Sequence, residues 1–392
     1  MPHKTLVILP SLSANLSPGG GIRLTGKFVS GVEMVIEHWD GPVEVLIEQD
    51  KARHSGNLDD VWVMPQKLPF RVTVADFHSP AAKAVVARAS VVQGGADHRL
   101  NHMPAWCGDM GVNYVMVSEY TLRTRLQIID AEGLNPLSNW RRKLWAWRQE
   151  KANQAAVRAS AAVQCNGTPT FHAYQPLNKN VMLYFDSRVT ADMLPAEPRL
   201  ARRDAPWSFA KPMRLVFSGR LSRMKGADHL PLVAQVLRDQ QVPFTMDIYG
   251  DGPLVAELQE TIARLGLQDL VRLGGVLDFA SELMPRVRDT ADLFVCCHRQ
   301  GDPSCTYLET LACGVPIVGY GNEAFDGLMH LCPAGESVAM NDWPALAAVI
   351  AKLTREPRRL SEMAHLGLTF ARDHAFENEF KRRIEQMAQL VS

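Results

Sequence analysis

The chain has 392 residues, 46% of them hydrophobic, which is too long for one core of ordinary size and leads us to expect two well-packed domains. Lys plus Arg and Asp plus Glu both number 42, so the overall balance argues against a nucleic-acid partner, although a local patch can hide inside a net charge of zero. The seven cysteines contain no Cys-x-x-Cys pair and fit a reducing cytoplasm better than a disulfide framework, while no apolar run approaches the roughly 18 residues of a membrane span and TLVIL near the start is too short for a signal-peptide core.

Thr5 to Leu9 is read as the first buried strand. The loop behind it, Ser17-Pro18-Gly19-Gly20-Gly21, leads into a helical pattern from Ile22 to about Trp39. Gly20 and Gly21 would let backbone approach a ligand closely, and a flexible connector is an equal reading of the same residues. Further strands are expected at Val43–Glu48, Val61–Met64, Arg71–Ala75, Ser90–Gln93, Tyr114–Ser118 and Ala161–Gln164, with helical segments between several of them. This alternation implies an α/β sheet, mostly parallel.

Residues 139–160 form a helix of another character, with Arg141, Arg142, Lys143, Arg148, Lys151 and Arg158 set against Glu150 alone. It also holds Trp140, Trp145 and Trp147, and Trp140, Leu144 and Trp147 share one face at helical spacing. Two readings stand side by side: a core-facing amphipathic helix with a solvated basic back, or a contact with an anionic membrane or lipid phosphate.

Periodicity fails between Asp186 and Lys211, where Pro195, Pro198 and Pro206 cluster among mixed charges, as an interdomain linker would. Residues 1–190 then make the first domain, 191–211 the linker and 212–392 the second domain with its terminal helices. Alternation restarts with a strand at Arg214–Ser218, a helix at Ala227–Gln240, a strand at Phe244–Tyr249, a helix at Leu254–Leu265, a strand at Val271–Leu273 and a helix at Glu282–Arg288. Next come the strand Leu293–Cys297, a polar loop His298–Ser304, a helix from Tyr307 to Cys313 ended by Gly314, and a strand from Val315. The tail is helical over Ala345–Leu353, Arg358–Ala371 and Glu377–Leu390. Two tandem doubly wound, Rossmann-like α/β domains are the natural architecture.

The loops ending the second domain's strands fall on one sheet edge, where such sheets bind anions and nucleotides. Gly219-Arg220-Leu221-Ser222-Arg223-Met224-Lys225-Gly226 puts two or three cations on a turn into a helix, and can clamp a diphosphate. A tight turn at Gly250-Asp251-Gly252-Pro253 follows, then Gly274-Gly275-Val276, where exposed backbone can bond a flat base. Glu309, early in its helix, offers two carboxylate oxygens to a sugar diol. Together these describe a site for a nucleoside diphosphate.

Residues 214–320 resemble the donor domain of retaining glycosyltransferases of the two-Rossmann-domain (GT-B) type, glycosyltransferase family four. The family's Gly-Arg-Leu…Lys-Gly loop, Gly-Asp-Gly-Pro turn and Glu-Ala-Met-Ala-Cys-Gly-x-Pro-Val helix stand here, in order, as GRLSRMKG, YGDGP and LETLACGVPIV. The resemblance implies a GT-B fold with an interdomain cleft and transfer of a sugar, with retention, from a UDP-sugar or GDP-sugar to a saccharide or lipid-linked acceptor. The implied setting is bacterial polysaccharide, lipopolysaccharide or glycolipid assembly, in the cytoplasm or at the inner membrane face. It also implies that Arg220 and Lys225 hold the diphosphate, Glu309 the ribose, and the backbone N–H groups of Thr306, Tyr307 and Leu308 further phosphate oxygens. No metal and no cofactor are expected, since cations and amides can meet the charge on the leaving diphosphate.

Two departures from the family matter. Many members carry a second Glu separated from the ribose Glu by seven intervening residues, where this chain has Gly301 followed by Asp302; the substitute is Asp302, or one of His298, Arg299 and Gln300. Many also place a His at a first-domain strand end near the sugar, where the candidates here are Glu119, His98 and His78, each of which has a plain surface or core reading too. Two rival functions keep the same motifs: a nucleotide-sugar epimerase and a non-catalytic sugar-nucleotide-binding module.

Overall fold

The computed structural model describes residues 4–50, 60–132, 134–194 and 212–392. Its first sheet has seven parallel strands in the order β10-β9-β8-β7-β1-β4-β6. These are β1 (Leu6–Leu9), β4 (Val43–Ile47), β6 (Arg71–Val74), β7 (Val91–Gly95), β8 (Asn113–Ser118), β9 (Ala162–Asn166) and β10 (Val181–Tyr184). Every residue of β1, β4 and β9 is buried, as expected of short apolar runs covered by helices on both faces. The strand β10 carries no signal that the sequence reading caught; Val181–Leu183 are only half-buried and Val181 follows a polar loop.

A small antiparallel sheet, β2 (Asn15–Leu16), β3 (Ile22–Thr25) and β5 (Asp60–Val63), interrupts the winding. This corrects the helix expected from Ile22. Ile22 and Leu24 are buried while Arg23 and Thr25 are less so, a period of two that makes a strand, and the helix begins only at Gly26, capped by the Thr25 hydroxyl. Gly20 and Gly21 therefore lie in a hairpin turn instead of at a helix entrance, with the Ser17 N–H donated to the Gly21 carbonyl at 2.9 Å.

The second sheet has six parallel strands in the order β13-β12-β11-β14-β15-β16. They are β11 (Met213–Ser218), β12 (Phe244–Tyr249), β13 (Val271–Gly275), β14 (Leu293–Cys296), β15 (Ile317–Tyr320) and β16 (Gly335–Val338). Two doubly wound domains of the GT-B kind are thus present, with a cleft between their carboxyl edges. The expected linker 191–211 lies largely outside the described residues.

The chain crosses between the domains twice. Phe185 and Val189 are buried in the second domain's core, and the Phe376 N–H reaches the Val189 carbonyl at 2.8 Å, so the outgoing and returning segments run side by side. The last helix, Phe376–Ala388, does not stay with the second domain, to which the sequence reading assigned it. Ile384 and Met387 are buried in the first core with Leu6, Val35 and Val115, and Phe380 packs on Gly31.

The basic helix runs from Pro136 to Ala159, and here one expectation fails. Its buried residues are Ala146, Glu150, Asn153, Ala156 and Val157, whereas Trp140, Trp145 and Trp147 are 61%, 48% and 57% exposed. The tryptophans do not face the core. They share the outer surface with Leu137, Leu144, Arg141, Arg148 and Lys151, while Arg142 and Lys143 turn to Glu132 and Asp130. Among the described residues no helix is long and apolar enough to cross a membrane.

Candidate active site

The carboxyl edge of the second sheet is knitted from backbone. The Gly219 N–H donates to the Tyr249 carbonyl at 3.1 Å, Leu221 N–H to Asp251 at 2.9 Å, and Gly250 N–H to Gly275 at 2.7 Å, so the loops after β11, β12 and β13 hold one another. Such close approach requires glycine at two positions. A Cβ on Gly250 would lie 1.9 Å from the Gly219 carbonyl oxygen, and one on Gly226, at φ +64°, would lie 1.9 Å from the Cys297 oxygen. The second contact locks the cation loop onto the loop after β14.

That lock sets the place of Lys225. Its ammonium donates to Asp302 Oδ2 at 3.0 Å and lies 3.4 Å from Ser304 Oγ, the residue that precedes the helix Cys305–Ala312. Beneath it His298 is 1% exposed, and neither ring nitrogen has a hydrogen-bond partner. Burial, with Lys225 nearby, holds its imidazole well below the usual histidine range, so it is neutral. Of the three cations on the first loop, Arg220 is exposed at the edge, while Arg223 turns away to Asp228 and Glu257. Arg299 also turns to Asp228, at 2.9 Å. Among the residues named for the missing Glu, Asp302 is the one that meets Lys225.

Glu309 is buried, 7% exposed, and accepts the Nε–H of Arg188 at 2.9 Å. The Arg188 guanidinium sits over the Phe279 ring, 3.9 Å from its centroid. Gly275 and Val276, on the neighbouring loop, are exposed, Val276 by 60%. Of the backbone groups expected to meet phosphate, the Tyr307 N–H is directed to the Ser304 carbonyl at 3.1 Å, and the side chains of Tyr307 and Leu308 are buried in the core behind the helix. Thr306 is half-buried in the first turn.

Across the cleft, the carboxyl edge of the first sheet encloses a cavity of about 540 Å³. Leu9, Phe28, Tyr184 and Phe380 supply apolar wall, and Lys27, Asp97, Glu119, Asp186 and Arg383 supply charge. Lys27 pairs with Asp186 at 2.5 Å and lies 3.3 Å from Cys305 Sγ of the second domain. Burial opposes the Lys27 charge, but Asp186 outweighs it and the ammonium is held more firmly than usual; burial and Asp186 together push the Cys305 thiol up to about 12. Glu119 is open to solvent yet deep in the cleft, and the loss of bulk water there, with Asp186 close by, raises its carboxyl above the ordinary range.

Of the first-domain candidates, Glu119 alone lines this cavity. His98 pairs with Asp97 at 3.2 Å and stands edge-on to Trp145, outside it, and His78 stacks on His102 at 4.0 Å. Gly20 and Gly21, expected to approach a ligand, are not among the residues lining this cavity; their turn is held by Ser17, and Gly21 faces Trp62 and Met64. The departure at Gly301 has a structural counterpart: its N–H donates to Gln127 Oε1 at 2.9 Å and its carbonyl accepts the Thr124 hydroxyl at 3.1 Å, fastening the two domains. A Cβ there would meet Glu323 Cβ at 3.2 Å. Lys27, Asp186 and Arg188 escaped the sequence reading. The last two lie where periodicity fails, and only their flanks, buried Phe185 and Val189, mark the segment as something other than linker.

The fold defines a class, the two-domain GT-B architecture. HepE of Anabaena, solved in complex with UDP, shares it at a TM-score of 0.65 and 14% identity, over 98% of this chain and 99% of that one. Within the chain, residues 202–366 match the family described as "Glycosyl transferases group 1". Among curated proteins the amylovoran biosynthesis glycosyltransferase AmsK of Erwinia amylovora is 27% identical over 205 residues, 50% of this chain and 48% of that protein. A GDP-mannose-dependent α-(1-6)-phosphatidylinositol monomannoside mannosyltransferase of Mycolicibacterium smegmatis is 28% identical over 191 residues, 45% and 47% of the two chains. The aligned regions span about half the length of these curated relatives.

Proposed function

We propose that this protein is a retaining glycosyltransferase that moves a hexosyl group from a UDP-sugar or GDP-sugar to a hydroxyl of a saccharide or lipid-linked acceptor, in bacterial polysaccharide, lipopolysaccharide or glycolipid assembly. The observation that carries the reading is the juxtaposition of Lys225, the N-terminus of the helix 305–312 and Glu309 on one backbone-locked sheet edge. Arg220 and Lys225 take the diphosphate, Lys225 exchanging its Asp302 partner for phosphate oxygen; Glu309 takes the ribose diol, and the backbone at Gly219, Gly250, Gly275 and Val276 flanks the nucleoside. Breaking the anomeric bond moves negative charge onto the diphosphate, and fixed donors there favour the transition state over the ground state. These groups do so without a metal ion. The leaving phosphate takes the acceptor proton on the same face, and Asp302 and Glu119 hold sugar hydroxyls. The donor range of the relatives, one named for GDP-mannose and a structural neighbour solved with UDP, supports either base. Nucleotide release from UDP- and GDP-sugars in the presence of a saccharide or lipid-linked acceptor tests the reading, and its absence with every donor sinks it.

The exposed tryptophans support an acceptor met at the inner membrane face, and with it a cytoplasmic enzyme. Trp140, Trp145 and Trp147 share their surface with Arg141, Arg148 and Lys151, the pairing of apolar rings and cations that suits an anionic lipid surface. Trp145 touches His98, three residues past the end of the β7 strand at the first sheet's carboxyl edge, so the patch flanks the cleft. Sedimentation with phosphatidylglycerol vesicles is expected to fall several-fold with salt and with Trp145→Ala. Indifference to both would remove the membrane from this account.

A further inference from the structure

The segment joining the two domains is more than a connector. Asp186 and Arg188, two residues apart, reach opposite sides of the cleft: Asp186 pairs with Lys27 beside the first-domain cavity, and Arg188 pairs with Glu309 on the donor edge. Between them Ser187 is 3% exposed, its hydroxyl accepting the Val189 N–H at 3.0 Å, and Val189 is 1% exposed, so the segment is anchored and not free to swing locally. Arg188 is itself held twice, by Glu309 at 2.9 Å and by the face of Phe279 at 3.9 Å. Phe279 follows the loop of Gly275 and Val276.

We infer that Arg188 is a positioning residue of the donor nucleoside, acting through Glu309 and assisted by the Phe279 ring. Three observations converge on it. A carboxylate that is 7% exposed needs a compensating partner, and Arg188 supplies it. One N–H donated to Oε1 fixes the rotation of the carboxylate while leaving lone pairs for two ribose hydroxyls. The guanidinium carbon sits over an aromatic ring, 3.9 Å from its centroid, which helps to hold it, and its side chain is 39% exposed, so it meets the solvent of the cleft instead of being sealed in the core. Because the same segment carries Asp186, the geometry of the nucleoside site is fixed relative to the first-domain cavity.

This inference rests on the reading of Glu309 as the ribose ligand, and the test separates the two. The dissociation constants of UDP and GDP are measured by calorimetry on the full chain, with donor KM, acceptor KM and kcat wherever transfer is found. If wild type binds neither nucleotide, the donor-site reading falls and this one with it. Where wild type binds, Arg188→Ala is expected to weaken the nucleotide at least about 10-fold and raise donor KM, leaving acceptor KM within about twofold. Arg188→Lys keeps the charge without the guanidinium over Phe279 and is expected to lose only about threefold. On a Glu309→Gln background the Arg188→Ala effect is expected to shrink below about threefold, because both act through one contact. Wild-type nucleotide affinity in Arg188→Ala would overturn the inference, as would full additivity with Glu309→Gln. Should Arg188→Ala not fold, Arg188→Lys and Phe279→Ala decide: unchanged nucleotide affinity in both overturns it.

Discussion

The two sheets present different edges to the cleft. The second sheet's edge is closed by main chain, with glycine set against carbonyl at Gly226 and Gly250, and its charges Arg220, Lys225, Asp302 and Glu309 all come from that domain's own strand-end loops and helix. The first sheet's edge stays open around a 540 Å³ cavity whose charged lining, Lys27, Asp97, Glu119, Asp186 and Arg383, is gathered from the whole length of the chain. On the proposed function, a diphosphate that is the same in every donor is met by a rigid cradle built within one domain, and acceptors that differ are met by a cavity whose walls, assembled from distant side chains, can be altered one at a time.

If this contrast is right, damage to the second edge abolishes the reaction and damage to the first retunes it. Glu309→Ala is expected to lower kcat/KM by about 10²- to 10³-fold, read from initial rates of transfer. Lys225→Ala should cost about 10²-fold, mostly in kcat, since the charge it meets develops in the transition state; a pure rise in donor KM would instead mark it as a binding residue. Gly226→Ala puts a Cβ against the Cys297 carbonyl at a left-handed φ, and should destabilise the protein by about 3 kcal/mol in urea unfolding. Glu119→Gln, on the other edge, is expected to raise donor-sugar KM by about 10-fold while UDP or GDP binds as before. The reverse pattern would erase the distinction between the edges.

The smallest effect concerns pH. Folding holds the His298 imidazole below its ordinary value of 6.5, so the unfolded chain takes up a proton that the folded one refuses. That contribution is fully present above about 6.5 and is lost as pH falls, at up to about 1.4 kcal/mol per unit. Urea unfolding of wild type and His298→Gln at pH 7 and pH 5 should therefore show the shallower pH dependence in the variant. Equal dependence would mean that His298 accepts its proton in the folded state.

The same contrast explains what could be read from the sequence. The cation loop, the YGDGP turn and the Glu309 helix are local: each strand-loop-helix unit places its own residues, so GRLSRMKG was enough to bring Lys225 to the edge. The Ile22 strand was misread because a four-residue period-two pattern runs straight into a helix with no break in apolar content. The final helix was assigned to the wrong domain because amphipathicity says that a face will be buried, not against what. The tryptophans of the basic helix were open to either reading for the same reason. Lys27, Asp186 and Arg188 carry no motif at all; their meaning comes from Cys305 and Glu309, more than a hundred residues away.

The central claim is that the second sheet's edge holds a sugar donor by its diphosphate and releases that diphosphate on transfer. The most direct measurement incubates the full chain with a panel of UDP-sugars and GDP-mannose, with and without saccharide or lipid-linked acceptors, and quantifies free UDP and GDP alongside the fate of the sugar. The account predicts acceptor-dependent release of one nucleoside diphosphate with the sugar on the acceptor, abolished in Glu309→Ala. An epimerised sugar nucleotide with no released diphosphate, or nucleotide binding without turnover of any donor, would contradict it.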